Sequence, residues 1–151
     1  VHASGSFSGT SSGDAQHGRM VLRTTTNNAA AELNSNAGFK ALSDSDYLTL
    51  SNKTGHFFTL HVVARAAAPG ENAWWSVQGC IIKDNNAAST TLIGPTPPSA
   101  PTGAAGVSAP NWLLNVTADT TNGRLRIVGD SAGYVGDVRW VATLQTTKVA
   151  V

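Results

Sequence analysis

Residues 111–147 read NWLLNVTADTTNGRLRIVGDSAGYVGDVRWVATLQTT, and this stretch decides the fold class. Trp112, Leu114, Val116 and Ala118 alternate with Leu113, Asn115 and Thr117. Leu125 and Ile127 alternate with Arg124 and Arg126, and Val138, Trp140, Ala142 and Leu144 alternate with Arg139, Val141, Thr143 and Gln145. Side chains two apart share a face of an extended strand, so each run has one face for a core. Between the first two runs, Asn122-Gly123 supplies the positive φ of a tight hairpin turn. Residues 130–137, glycine-rich with one tyrosine, read as the loop of a second hairpin that completes an antiparallel meander. Leu113, Val128 and Val141 put apolar groups on the opposite faces, more than a half-solvated sheet usually shows. That excess predicts a second buried contact.

The same period-two pattern extends through the rest of the chain. In residues 16–25, Met20 and Leu22 share one face while His17, Arg19, Val21 and Arg23 share the other. In residues 56–66, Phe58, Leu60, Val62 and Ala64 oppose Phe57, Thr59, His61, Val63 and Arg65; in residues 73–83, Trp75, Val77, Gly79 and Ile81 oppose Trp74, Ser76, Gln78, Cys80 and Ile82. Residues 31–33, 48–52 and 89–93 read as shorter strands. The alanines near residue 30 lie between asparagine pairs, which leaves less than the length an isolated helix needs. Residues 94–110, GPTPPSAPTGAAGVSAP, read as an extended surface connection crossing within one sandwich, since neither half alone has strands enough to cover a core. About eight strands in succession without an amphipathic helix predict an all-β, antiparallel, jelly-roll-like β-sandwich. Residues 1–13, rich in Ser and Gly, read as a flexible lead-in or tag remnant, and residues 14–151 as one domain.

Composition narrows the function classes. Charged residues are 13% of the chain against about 25% in an average domain, so the surface consists of small neutral polar groups. The net charge is +1 and the cations are scattered along the sequence, which argues against a nucleic-acid partner or an anionic membrane surface. No apolar run approaches a membrane span, and no signal-peptide pattern opens the chain. A first residue of valine reads as a piece of a longer or processed polypeptide. The lone Cys80 reads as a small core residue, so sites built on paired cysteines are excluded.

Catalytic and metal chemistry find little purchase. Residues 9–13, GTSSG, match the nucleophile-elbow pattern G-x-S-x-G but lack the flanking strand and helix that make it work. His56 and His61 lie five apart, on opposite faces of a straight strand, so no metal site is expected, and no cofactor. Asp44, Asp46 and Asp14 are turn-forming acids without the spacing information that glycoside hydrolysis requires. The sequons at Asn52 and Asn115 read as coincidental. Exposed rings can stack on sugars while amides and carboxylates bond the hydroxyls. This makes Asp84, Asn85 and Asn86, together with Asp130, Tyr134 and Asp137, the candidate ligand-binding residues, all in loops on a rigid sheet. Trp74, Trp112 and Tyr47 sit at strand starts or in loops; for the two tryptophans a place in the core or a subunit interface is the simpler reading.

Val63-Ala-Arg65, Trp75 with Gly79, Thr121-Asn-Gly123, Arg139-Trp-Val-Ala142 and Thr146-Thr147 occur in this order along residues 48–149. In that arrangement the chain resembles a C-terminal domain of bacteriophage tail fibres and related virion proteins; residues 1–47 fall outside the resemblance. It implies a homotrimeric fibre tip in the virion that touches a bacterial surface structure, often a polysaccharide, without cleaving it. No binding residue carries over, because loops vary within that family. The expected function is non-enzymatic receptor binding. The alternatives are a structural trimerisation or decoration module, a stand-alone carbohydrate-binding module, and a polysaccharide depolymerase, the last disfavoured because the chain has no long β-helical body.

Overall fold

A computed structural model describes residues 4–5, 15–35 and 46–151. Asp14, Asp44 and the 9–13 motif lie outside the described residues. The described chain is all-β, with eleven strands: β1 (Ser4–Gly5), β2 (Ala15–Thr26), β3 (Ala31–Glu32), β4 (Leu48–Thr49), β5 (Thr54–Ala66), β6 (Asn72–Lys83), β7 (Thr90–Ile93), β8 (Gly103–Ala105), β9 (Leu113–Asp119), β10 (Arg124–Asp130) and β11 (Val138–Ala150). The surplus over the expected eight comes from edge strands of two or three residues, too short to show a period.

Two antiparallel sheets face each other as a sandwich. The larger runs β1-β2-β11-β5-β6-β7, with β8 on the same edge of β6 as β7; in the smaller, β10 is flanked by β9 on one edge and by β3 and β4 on the other. β11 is the spine of the larger sheet. It pairs with β2 from Val138↔Thr26 to Val149↔Ala15 and with β5 from Val138↔Ala66 to Ala150↔Thr54. Alternation reads straight into burial: Phe58, Leu60, Val62 and Ala64 of β5, Trp75 and Ile81 of β6, and Val138, Trp140, Ala142 and Leu144 of β11 are buried together with Trp112, Leu114, Val116, Leu125 and Ile127 of the other layer.

The meander expectation is corrected here. β9 and β10 form the expected hairpin, with Gly123 at φ 66°, but β10 and β11 do not pair, because residues 131–137 carry the chain from the small sheet to the large one. Ala132, Gly133 and Gly136 turn this corner with positive φ, and the neighbouring turns hold it: Asn28 N–H donates to the Tyr134 carbonyl and Ala67 N–H to that of Asp137. Two further expectations change, those for residues 94–110 and for Cys80. The 94–110 connection is more than an extended strap, since it contains β8 and a 3-10 turn at Ala109–Asn111 whose Ala109 is buried. Val128, placed on the second face, is buried at 7% exposure, in line with a second buried contact there. Cys80 lies on the outward side of β6, half-buried, opposite Phe57 and Ile93 in register.

Candidate binding face

The predicted ligand-binding residues fall into two groups at opposite ends of the large sheet. Asp84, Asn85 and Asn86 follow the last residue of β6, where Lys83 pairs with Thr54; Asp130, Tyr134 and Asp137 belong to the corner leading into Val138, which pairs with Ala66 at the far end of β5. At strand rise the two ends are roughly 40 Å apart, so the six residues do not make one site. Most of the second group is committed to structure. Asp130 accepts from Ala132 N–H at 2.8 Å, Asp137 from the Asn27 amide at 3.0 Å, and the Tyr134 ring packs edge-on against Trp112 at 5.9 Å. Asn86 caps the 3-10 turn Ala87–Ser89 in a reciprocal box with Ser89. Asp84 and Asn85, by contrast, line an open groove of about 670 Å³ with Lys53, Lys83, Gly55 and Val149.

The outward face of the large sheet is the more distinctive surface. β2, β5, β6 and β11 contain no Asp or Glu. Their outward positions bring together Arg19, Arg23, Arg65 and Arg139 with His17 and His61. Read across the strands, one line runs Arg23, Val141, Val63, Trp74, and the next runs Thr25, Arg139, Arg65, Asn72. Val141, Val63 and Trp74 are each about half exposed, at 51%, 58% and 48%. They form an apolar row bordered by arginines. Arg139 and Arg65 are direct cross-strand partners, an arrangement that costs stability when both charges are alike. Among the described residues neither has a carboxylate within ion-pairing distance. With Ala66, Ala67 and Asp137 they line a cavity of about 420 Å³.

Trp74 is held in place by the connection that looked featureless in sequence. Thr102 N–H donates to the Trp74 carbonyl at 2.8 Å, and the Thr102 hydroxyl accepts from Ser76 N–H at 3.1 Å. Gly103, opposite Trp74 in register, sits where any Cβ would strike the indole; glycine there leaves room for the ring beside β8. Glu71 anchors the far side of the same connection. Burial opposes its ionisation, but N–H groups of Val107, Ser108 and Ala109 all donate to its carboxylate and hold its pKa below the ordinary value.

A second polar cluster lies on the small sheet. Burial raises the Glu32 pKa against the pull of Arg124 and Arg126, while Asp119 is brought down to about 2: burial acts against it, and bonds from Asn122, Arg124 and Thr121 outweigh burial. Two carboxyls pushed apart in this way are the pattern of an acid-base pair. Here, however, Arg124 bridges them, at 2.9 Å to Asp119 and 3.3 Å to Glu32, and stacks its guanidinium 3.6 Å over the Tyr47 ring. Both acids hold β10 to its neighbours, Asp119 with its oxygens fully engaged and Glu32 through Oε2, its buried Oε1 lacking a partner among the described residues. No three His, Cys, Asp or Glu side chains among the described residues stand close enough to share a metal. His56 and His61 lie on opposite faces, inward and outward, as their spacing implied.

Of the aromatic candidates, Trp112 is fully buried and Trp74 is at the surface. The concentration of arginines on one face escaped sequence reading. The usable signal was parity: Arg19, Arg23, Arg65 and Arg139 all occupy the face opposite the core residues of their strands.

No protein-family model and no curated protein matches the sequence. Among solved structures, the chain is similar to gp49, a tailspike protein and capsular polysaccharide depolymerase of the Acinetobacter baumannii bacteriophage Fri1. That likeness has a TM-score of 0.47 and 13% identity, over 91% of this chain and 18% of the tailspike. It is also similar to the tailspike protein of Acinetobacter phage vB_ApiP_P1, with a TM-score of 0.39 and 13% identity over 89% of this chain and 22% of that one. The chain thus spans about a fifth of the length of either tailspike.

Proposed function

We propose that this chain is a non-enzymatic recognition domain of a bacteriophage tail fibre, carried on the virion as a homotrimer and binding a polysaccharide of the bacterial surface. The observation that carries the reading is the outward face of the large sheet: an aromatic and aliphatic row, half exposed, on strands paired along their length, with Thr, Asn, Gln and Arg side chains around it. Such a face suits the ring faces and hydroxyls of a sugar chain laid along it. It is not a cleft that grips one scissile bond. The carboxylates of Glu71 and Asp119 support the non-enzymatic part, since backbone N–H groups and Arg124 already engage them. The resemblance of residues 48–149 to tail-fibre tips supports the virion setting and the trimer.

Two measurements on the purified protein test this. Light scattering coupled to size exclusion is expected to give three times the 15.5 kDa chain mass. Incubation with a panel of neutral and acidic bacterial polysaccharides is expected to show binding without release of reducing ends. A monomer would remove the fibre assembly, and reducing-end release would make the domain an enzyme. The half-exposed Val21, Val63 and Val141 favour one other reading, a purely structural trimerisation module. A trimer that binds no polysaccharide of the panel would establish it.

A further inference from the structure

We infer that the outward face of the large sheet is selective for acidic polysaccharides, those bearing carboxylate groups on their sugars, with Arg65 and Arg139 sharing a carboxylate and Trp74 packing on a ring beside it. The inference rests on the recognition reading above and gives it a ligand class.

Three observations converge on it. First, the charge of the molecule is segregated. The outward face of the four long strands holds Arg19, Arg23, Arg65 and Arg139 and no acid, while Lys83 and Lys148 of the same strands point to the other side. The described acids, Glu32, Asp46, Glu71, Asp84, Asp119, Asp130 and Asp137, all lie in other strands and in loops. A protein of net charge +1 therefore presents one cationic face, which concentrates anions there. Second, Arg65 and Arg139 are directly opposed on neighbouring strands. Two guanidinium groups so placed repel in the free protein, because the Asp137 carboxylate lining the same cavity accepts from Asn27 and makes no ion pair with either. A carboxylate between them would turn the repulsion into paired, charge-assisted hydrogen bonds, for which the planar guanidinium is well shaped. Third, Trp74 stands diagonally beside Arg65, two residues along β6 from Asn72, the cross-strand partner of Arg65. The diagonal of an antiparallel pair spans about 7–8 Å, so ring stacking and carboxylate capture fall within one sugar unit and its neighbour. A second copy of this chain fits the face less well, because it would bring the same arginines. A nucleic acid would call for a denser cationic surface than four arginines spread over three strands.

Isothermal titration with polygalacturonate as the acidic probe, uncharged dextran as the neutral one and a single-stranded oligothymidylate as the third tests the assignment. At low salt, polygalacturonate is expected to bind and dextran and the oligothymidylate to fail. Binding is expected to weaken as added salt shortens the screening length. Replacing both arginines, Arg65→Gln with Arg139→Gln, is expected to weaken polygalacturonate binding about tenfold or more, and Trp74→Ala to weaken it as well. The Arg65→Lys, Arg139→Lys pair is expected to restore part of the affinity, which separates loss of charge from loss of fold. Absence of polygalacturonate binding, or full binding by the glutamine variant, would overturn the inference. Equal binding of the oligothymidylate would overturn it in favour of nucleic acid. Dextran bound as tightly as polygalacturonate would end the acidic selectivity while leaving polysaccharide recognition standing.

Discussion

Trp140 shows how much a single side chain can organise. It stacks on Trp75 at 5.1 Å, leans on Trp112 at 6.1 Å, and donates its indole N–H to the Thr26 hydroxyl at 2.9 Å inside the core. Gly129 of the opposite sheet is pressed against its ring so closely that a Cβ would come within 2.6 Å of it. Truncation, Trp140→Ala, is therefore expected to cost about 3–5 kcal/mol in urea unfolding, through the cavity and the stranded Thr26 hydroxyl; a loss below about 0.5 kcal/mol would contradict its place in the core. His56 makes a different kind of statement. Burial, reinforced by Lys148, lowers its pKa to about 4, whereas the unfolded chain titrates near the ordinary 6.5. The unfolded state thus binds the extra proton first as pH falls. The contribution of His56 is complete above about pH 6.5, declines between 6.5 and 4, and is constant below. At most about 3 kcal/mol is lost on acidification. Replacing it, His56→Leu, is expected to flatten the stability profile in that window, as read by urea midpoints at pH 7, 5.5 and 4. An unchanged slope would show that another group controls it. The opposite facing of His56 and His61 was legible from their spacing. The depressed pKa was not, because it depends first on burial within the sandwich and then on Lys148, of a strand far off in sequence.

Strands whose residues alternate between core and solvent announce themselves, and β5, β6 and β11 follow their alternation almost residue by residue. Connections do not announce their destination. The loop of residues 131–137 has the glycines of a hairpin, yet it crosses between sheets; what decides this is the pairing of β11 with β2 and β5 along its full length, a non-local fact that turn chemistry cannot encode. β8 is harder still, since Gly-Ala-Ala carries no period, and its role is set by the Trp74 indole it abuts. Adding bulk there, Gly103→Val, is expected to displace the indole, lower stability by about 1–3 kcal/mol and shift the Trp74 indole N–H resonance. A variant with that resonance unmoved would show that β8 does not position the ring.

At the scale of the whole molecule, two sheets share one core, and their outer surfaces differ in chemistry. The small sheet neutralises its charges internally, through Arg124 set between Glu32 and Asp119. The large sheet leaves Arg65 and Arg139 side by side with no carboxylate of the described residues in ion-pairing distance, although Asp137 lines the same cavity. Sequence parity assigned each arginine to its outward face, but only the order β2-β11-β5-β6 places the four of them on one surface. The loop residues chosen from composition divide between two distant ends for the same reason: turns adjacent in a list are not adjacent in a sandwich. Trp74 is the one tryptophan of the four at the surface, which makes it a site-specific reporter. The most direct test of the binding face is a nitrogen-15 chemical-shift titration of the intact protein with short galacturonate oligomers, following the Trp74 indole and the arginine side-chain N–H signals. Shifts confined to Trp74, Arg65, Arg139 and their cross-strand neighbours are the expected result. Shifts concentrated instead at Lys53, Lys83, Asp84 and Asn85, with Trp74 unmoved, would place recognition in the groove at the end of the sheet and contradict the assignment of the face.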